Sequence, residues 1–307
     1  MIGSDAYKFG RVITAMVTPF DDQSKIDFND LEKLVEHLIA TGTTTIVVAG
    51  TTGESPTLDE AELKELLSFV VKQVRGRVKV IMGTGSNMTA KTVKSTKEAE
   101  ALGADGALVV VPYYNKPSQA GMLAHFGEVA ANTKLPIIVY NIPGRTGVNM
   151  LPETTIELAA KHKNIHALKD STGSVEQSGD IASGANPEFR IYSGDDNLTL
   201  PFLSVGACGV ISVASHVVGR DIEGMINAFC AGDTEKARAE HYRLLPLFKG
   251  LFAAPNPTCV KYALAKLGIC KETLRLPLVP LTDVQRASMD KLLSGYELAA
   301  LSPSKAR

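Results

Sequence analysis

Tryptophan is missing from the 307 residues, and cysteine occurs only at Cys208, Cys230, Cys259 and Cys270. None of the four forms a C-x-x-C pair, and no histidine follows them at zinc-finger spacing. A disulfide framework and a cysteine-based zinc site are therefore unsupported, and buried thiols in a reducing compartment fit. No sign of charge is in excess. With 32 basic and 33 acidic side chains the net charge is -1, without the basic surplus of a polyanion-binding surface. Long apolar runs are lacking too. No stretch approaches the ~18 uncharged residues of a membrane span, and the opening MIGSDAYKFG has no apolar signal core. Glycine at 26 and proline at 15 are ordinary, which removes collagen-like and disordered chains. The expectation is a cytoplasmic protein with neither nucleic acid nor membrane as partner.

What is present is a rhythm. Short β-branched runs recur at Val12–Val17, Thr45–Val48, Val78–Met82, Ala107–Val111, Ile137–Tyr140, Ile165–Lys169, Arg190–Ser193 and Val210–Val213. Between them lie segments of helical period. Leu31, Leu34, Val35, Leu38 and Ile39 share one face of a helix over Asp30–Ala40, with Gly42 following as its stop. Thr57 with Glu60 reads as a capping box for a helix carrying Leu63, Leu66, Leu67, Val70 and Val74. Ser118 reads as the cap of another, with Met122, Phe126 and Val129 turned inward. Eight βα units with continuously apolar strands point to an α/β fold, a closed (β/α)8 TIM barrel. The alternative, an open dinucleotide-binding sheet, wants a glycine-rich first turn, and Thr18-Pro19-Phe20-Asp21 has no glycine. Beyond about Asp221 only helices are expected, at Asp221–Ala231, Asp233–Phe252, Pro257–Leu267 and Asp283–Leu293. The division is a catalytic barrel over residues 1–232 and a C-terminal helical appendage over 233–307.

In such a barrel the chemistry lies where the strands end. Lys169 closes the sixth run. Desolvation at a barrel mouth favours the neutral amine, which attacks carbonyls to give a Schiff base; the alternative is a strand-end lysine that meets solvent. Tyr140 ends the neighbouring fifth run and Thr51 the second, and both are hydroxyls able to shuttle the protons of imine formation. They read equally as a barrel cap and, with Thr52, as a helix N-cap. The Gly50-Thr51-Thr52-Gly53 turn also offers backbone N–H groups suited to a carboxylate.

These motifs resemble one family. TAMVTPF, GTTGESPTL, GTGSN, PYYNKPSQAG, YNIPGRTG, LKDSTG, YSGDD and GVISVASH, then PNPTCVKYAL and ETLRLPLVPLT in the helical tail, are similar to the pyruvate-dependent class I lyases. That family includes dihydrodipicolinate synthase and N-acetylneuraminate lyase, and the similarity is greatest to the dihydrodipicolinate synthase branch. The resemblance implies that Lys169 forms an imine with pyruvate and that Tyr140, Thr51 and Tyr114 relay protons. It implies that Tyr114 reaches a neighbouring subunit, in a homodimer or homotetramer built as a dimer of dimers. It implies that Thr51 and Thr52 hold the pyruvate carboxylate, that Arg145 takes the carboxylate of L-aspartate 4-semialdehyde, and that Gly194 and Ile211 line the pocket. The implied product is 4-hydroxy-tetrahydrodipicolinate, the first committed intermediate towards diaminopimelate and lysine. The imine is the electron sink, so no metal and no organic cofactor is expected.

Arg145 separates the leading reading from its nearest rival, a class I aldolase acting on a 2-keto-3-deoxy sugar acid. A guanidinium grips a carboxylate bidentately; a loop-anchoring salt bridge is the other reading of this arginine. A keto-acid sensor without catalysis would be expected to lose the lysine or a relay hydroxyl, and all four are present. A pyridoxal-phosphate barrel wants a glycine-rich phosphate loop near the last strands, and none is evident. Asp195 and Asp196 read as loop caps and not as metal ligands. At the positions where relatives bind inhibitory lysine the chain carries Glu60, Leu63 and Lys91, and weak or absent feedback by lysine is expected.

Overall fold

The computed structural model describes residues 9–298. The outer ends of the two ranges assigned from sequence lie outside these residues. Eight parallel strands follow in chain order: β1 (Val12–Ala15), β2 (Thr45–Val48), β3 (Lys79–Gly83), β4 (Gly106–Val110), β5 (Ile137–Asn141), β6 (Ile165–Asp170), β7 (Arg190–Ser193) and β8 (Gly209–Ser212). β8 pairs with β1 and closes the barrel. Between strands run α1 (Phe28–Ala40), α2 (Glu60–Val74), α3 (Thr89–Ala101), α4 (Gln119–Ala131), the short α5 (Pro143–Thr146), α6 (Pro152–Lys161), α7 (Val175–Gly184) and α8 (Thr199–Ser204). After β8 come α9 (Ser215–Cys230), α10 (Thr234–Gly250), α11 (Thr258–Lys266) and α12 (Asp283–Leu293).

Two apolar clusters explain why the strands read as unbroken hydrophobic runs. Side chains alternate across a strand. Ile13, Val47, Ile81, Leu108, Ile138, Ala167, Tyr192 and Ile211 fill the barrel interior. Their neighbours Val12, Ile46, Val80, Val139, Leu168, Ile191 and Val210 pack outward under the helices. That outer cluster continues into Leu244 and Leu247 of α10 and Cys259, Val260, Ala263 and Leu264 of α11. The C-terminal helices thus share the barrel's outer core. Cys208, Cys259 and Cys270 are buried and Cys230 is exposed, all as thiols. No helix among the described residues is long and apolar enough to cross a membrane.

Three helix starts differ from the sequence reading, and α1 begins two residues before Asp30, at Phe28. α2 is capped by Asp59, whose carboxylate accepts from the Glu62 backbone while the Glu62 side chain accepts from Asp59 N–H. Such a box contributes ~1 kcal/mol. Thr57 instead ends a 3-10 turn, its hydroxyl donating to the Glu54 carbonyl, so the helix begins beyond it. α9 begins at Ser215, not Asp221. Its first turns, SHVVGR, look like a strand end, and Gly219 masks the helical period. A Cβ on Gly219 would lie 2.5 Å from the Thr41 carbonyl oxygen, so the glycine is required where α9 crosses the end of α1. Asp27 caps α1, whose buried face is Leu31, Leu34, Val35 and Leu38.

Candidate active site

The phase of β6 decides where its lysine points. Ile137 pairs with Ile165, but Ile138 pairs with Ala167, leaving His166 as an extra residue. This irregularity flips the alternation: Ile165 joins the outer cluster while Ala167 faces the interior. Lys169, two residues on, faces the interior at the C-terminal mouth. In register it lies between Tyr140 of β5 and Tyr192 of β7. Its Nζ stands 4.1 Å from the centroid of the Tyr140 ring. Lys169 is 7% exposed and Tyr140 6%.

The chain passes closely beside this lysine at Gly194. A Cβ there would lie 1.9 Å from Ser171 Oγ and 3.1 Å from both Lys169 Cε and the Asp170 carbonyl oxygen. Only glycine leaves the lysine stem its place. The next residue, Asp195, has its carboxyl pushed up by burial, with the Lys169 charge and, more weakly, the Arg145 charge pulling it down. Asp195 thus feels the charges of both Lys169 and Arg145 at this mouth. Arg145 itself is exposed, on α5. Asp196 has a different task. Burial pushes its carboxyl up and hydrogen bonds oppose this. Ser212 Oγ, Val213 N and Ala214 N all donate to it, tying the end of β7 to the end of β8. Ile211 is buried within the barrel beside that tie.

The Gly50–Gly53 turn lies over the end of β1. Thr18 Oγ1 donates to the Gly53 carbonyl at 2.7 Å, and Gly53 N–H and Glu54 N–H donate back to Gly50 and Thr51. A Cβ on Gly53 would come within 3.0 Å of the Met16 carbonyl oxygen. Thr52 is buried and Thr51 half-buried. The turn is not the N-terminus of α2, because the 3-10 turn Ser55–Thr57 intervenes. Tyr114 is set apart from Tyr140: it is 89% exposed, with φ +74°. Its loop is joined to the β3–α3 loop by Asn115 Nδ2 donating to the Asn87 carbonyl at 2.9 Å.

Two residues of the C-terminal segment that sequence reasoning passed over meet the turn and the Glu54 that follows it. Asn256 Nδ2 donates to Thr52 Oγ1 at 2.9 Å. Lys261 Nζ lies 2.5 Å from Glu54 Oε1, with both side chains sealed from solvent at 0% and 1% exposure. Burial pushes the Lys261 ammonium down and the Glu54 charge pushes it back. The signal was present in α11, where a lysine interrupts the apolar TCVKYALAK.

Residues 8–295 match the dihydrodipicolinate synthetase family. The chain belongs to that family. It is 51% identical to the 4-hydroxy-tetrahydrodipicolinate synthase of Bacillus subtilis over 93% of this chain and 99% of that one. The crystal structure of a Bacillus anthracis dihydrodipicolinate synthase superposes with a TM-score of 0.92 at 47% identity, covering 94% and 99% of the two chains. A dihydrodipicolinate synthase from Cyanidioschyzon merolae, described with lysine bound, gives 0.93 at 46%, covering 94% and 98%. The dihydrodipicolinate synthetase frame accounts for the closed barrel and for the motifs gathered at its C-terminal mouth.

Proposed function

We propose that the chain condenses pyruvate with L-aspartate 4-semialdehyde through a Schiff base on Lys169. The reaction is that of a 4-hydroxy-tetrahydrodipicolinate synthase, a lyase of diaminopimelate and lysine biosynthesis. The amine adds to the keto carbon and water leaves as the imine forms. A methyl proton is lost and the enamine results. Its carbon attacks the aldehyde, forming the new C–C bond and a hydroxyl. The semialdehyde amine then adds to the imine carbon, closes the ring and releases Lys169. One water is produced per turnover.

The observation that best supports this reading is a lysine inside the barrel mouth with its Nζ over the face of Tyr140. Tyr140 and Thr51 carry protons between the amine, the leaving hydroxyl and the methyl group. Thr51 and Thr52 receive the pyruvate carboxylate, Gly194 and Ile211 shape the pocket, and Arg145 takes the second carboxylate. Tyr114 belongs to the same relay through a second copy of the chain, in a homodimer or a dimer of dimers. Its 89% exposure is what a side chain awaiting a partner surface would show. The barrel domain assigned to 1–232 carries the reaction in the cytoplasm, with α10, α11 and α12 following it. Borohydride reduction with pyruvate, followed by peptide mapping, tests the reading. Label is expected on Lys169, and label elsewhere overturns the assignment. Coupled turnover with aspartate 4-semialdehyde tests the second substrate.

A further inference from the structure

Glu54 and Lys261 are 207 positions apart and meet where water does not reach. A buried ion pair gains little stability over an apolar pair of the same volume. Holding α11 against the barrel therefore does not explain it, since Val260 and Leu264 already lie in the shared apolar core. What the pair supplies is direction. Glu54 occupies the left-handed region, at φ 54° and ψ 34°, a conformation that a non-glycine residue keeps only when its surroundings impose it. Here they do. Glu54 Oε2 accepts from Arg275 N–H at 3.0 Å, and Lys261 Nζ donates to the Thr273 carbonyl at 2.7 Å. The Arg275 guanidinium donates to the Thr57 carbonyl at 2.7 Å, to the Ser24 carbonyl at 2.9 Å and to both oxygens of Glu62. Lys261 Nζ and the Arg275 guanidinium also lie 4.2 and 4.4 Å from the centroid of the Phe20 ring.

Asn256 acts on the turn itself. Because its amide donates to Thr52 Oγ1, the threonine hydroxyl serves there as acceptor and keeps its own hydrogen to donate elsewhere. A keto-acid carboxylate is the acceptor it would meet. We propose that Glu54, Lys261 and Asn256 are positioning residues through which the C-terminal segment holds the Thr51–Thr52 turn in the geometry that receives the pyruvate carboxylate. The proposal rests on the reading of those threonines given above. It makes residues 256–275 part of the machinery for capturing the first substrate.

The test uses the full chain with pyruvate as probe. Asn256→Ala, Lys261→Met and the double variant Glu54→Gln/Lys261→Met are compared with the parent chain. The measurements are borohydride labelling of Lys169 against pyruvate concentration, KM and kcat, and thermal unfolding. Loss of one hydrogen bond to the turn corresponds to about a tenfold change in apparent affinity. Asn256→Ala is expected to need about tenfold more pyruvate for half-labelling, with kcat at saturation within about twofold and unfolding nearly unchanged. Lys261→Met strands a buried carboxylate and is expected to lose stability. The double variant is expected to recover that stability but not the affinity for pyruvate. Affinity that returns with stability, or Asn256→Ala and the double variant both labelling at parental pyruvate concentrations, would overturn the proposal. If the parent chain itself does not label at Lys169, the functional reading falls instead.

Discussion

Replacing Gly194 with alanine probes the lysine's surroundings directly. The new methyl would start 1.9 Å from Ser171 Oγ, a distance no real contact sustains, and 3.1 Å from Lys169 Cε and the Asp170 carbonyl. Ser171 can turn away. Its hydroxyl is buried without a hydrogen-bond partner, so turning sacrifices no bond and costs about 0.5–1.5 kcal/mol if it leaves a preferred rotamer. The two 3.1 Å contacts remain and require shifts of a few tenths of an ångström. One contact is main chain, held by Gly194 N–H donating to the Asp170 carbonyl at 2.7 Å. The lysine stem is therefore the part that yields. The expected stability loss is ~1–2 kcal/mol. The activity loss adds to this: a ~1 Å displacement of a reacting atom lowers rates by ~100-fold, and a shift of a few tenths of an ångström by a smaller factor. Gly194→Ala should show kcat/KM for pyruvate reduced by roughly 10-fold and slower borohydride labelling, while the folded chain persists in calorimetry. Ser171→Ala/Gly194→Ala removes the worst overlap and should regain part of the stability with little of the rate. Parental labelling and turnover in Gly194→Ala would show that the strand end is slack, and the argument from close approach would be wrong.

Four other outcomes are expected. Tyr140→Phe should depress turnover by ~100-fold or more while still retaining pyruvate in borohydride trapping; equal loss of both would remove it from proton transfer. A Tyr114→Phe chain and a Lys169→Ala chain, each impaired alone, should regain activity when mixed, and activity no greater than the sum of the two would argue against exchange between subunits. His216 is wholly buried, and burial pushes its imidazole down to about 4. The unfolded chain takes that proton from ~6.5 downward, so this histidine's contribution is complete above that pH and declines as pH falls towards 4, by up to ~1.4 kcal/mol per unit. His216→Gln should flatten the acid limb of stability against pH, measured by denaturant unfolding, and unchanged slopes would refute this. L-Lysine should inhibit weakly, because Glu60 is already engaged by Lys94 at 2.7 Å with Lys64 and Lys91 nearby in the field it feels; strong inhibition at submillimolar lysine would contradict it.

Periodicity carried the barrel because parallel strands covered on both faces leave long apolar runs, and the eight runs fall on the eight strands within a residue or two. Family membership was legible for another reason: strand-end motifs are fixed by chemistry as well as by packing. Helix starts were harder. Thr57 satisfies a capping pattern in letters, yet its hydroxyl is spent on the Glu54 carbonyl, and only the three-dimensional turn shows that Asp59 is the cap. The phase of β6 was likewise invisible. Counting alternately from Ile165 puts Lys169 on the same face as Ile165, yet the extra residue His166 places Ile165 outside and Ala167 inside.

The C-terminal contribution to the Gly50–Gly53 turn was the least legible element, and the reason is physical. Its contacts join residues more than 200 positions apart, and no local pattern encodes a partner at that range. One trace did exist. An ammonium group in the middle of an apolar helical face is untenable without a buried anion. Lys261 between Val260 and Tyr262 therefore requires a carboxylate drawn from elsewhere in the fold. Glu54 is a natural candidate because it sits between Gly53 and a proline-containing turn, where the backbone has little other means of support. Reading buried charges as demands for distant partners would have linked the two ends of the chain before any coordinates did. It would also have moved the boundary of the site past residue 232 and into the helices that follow the barrel.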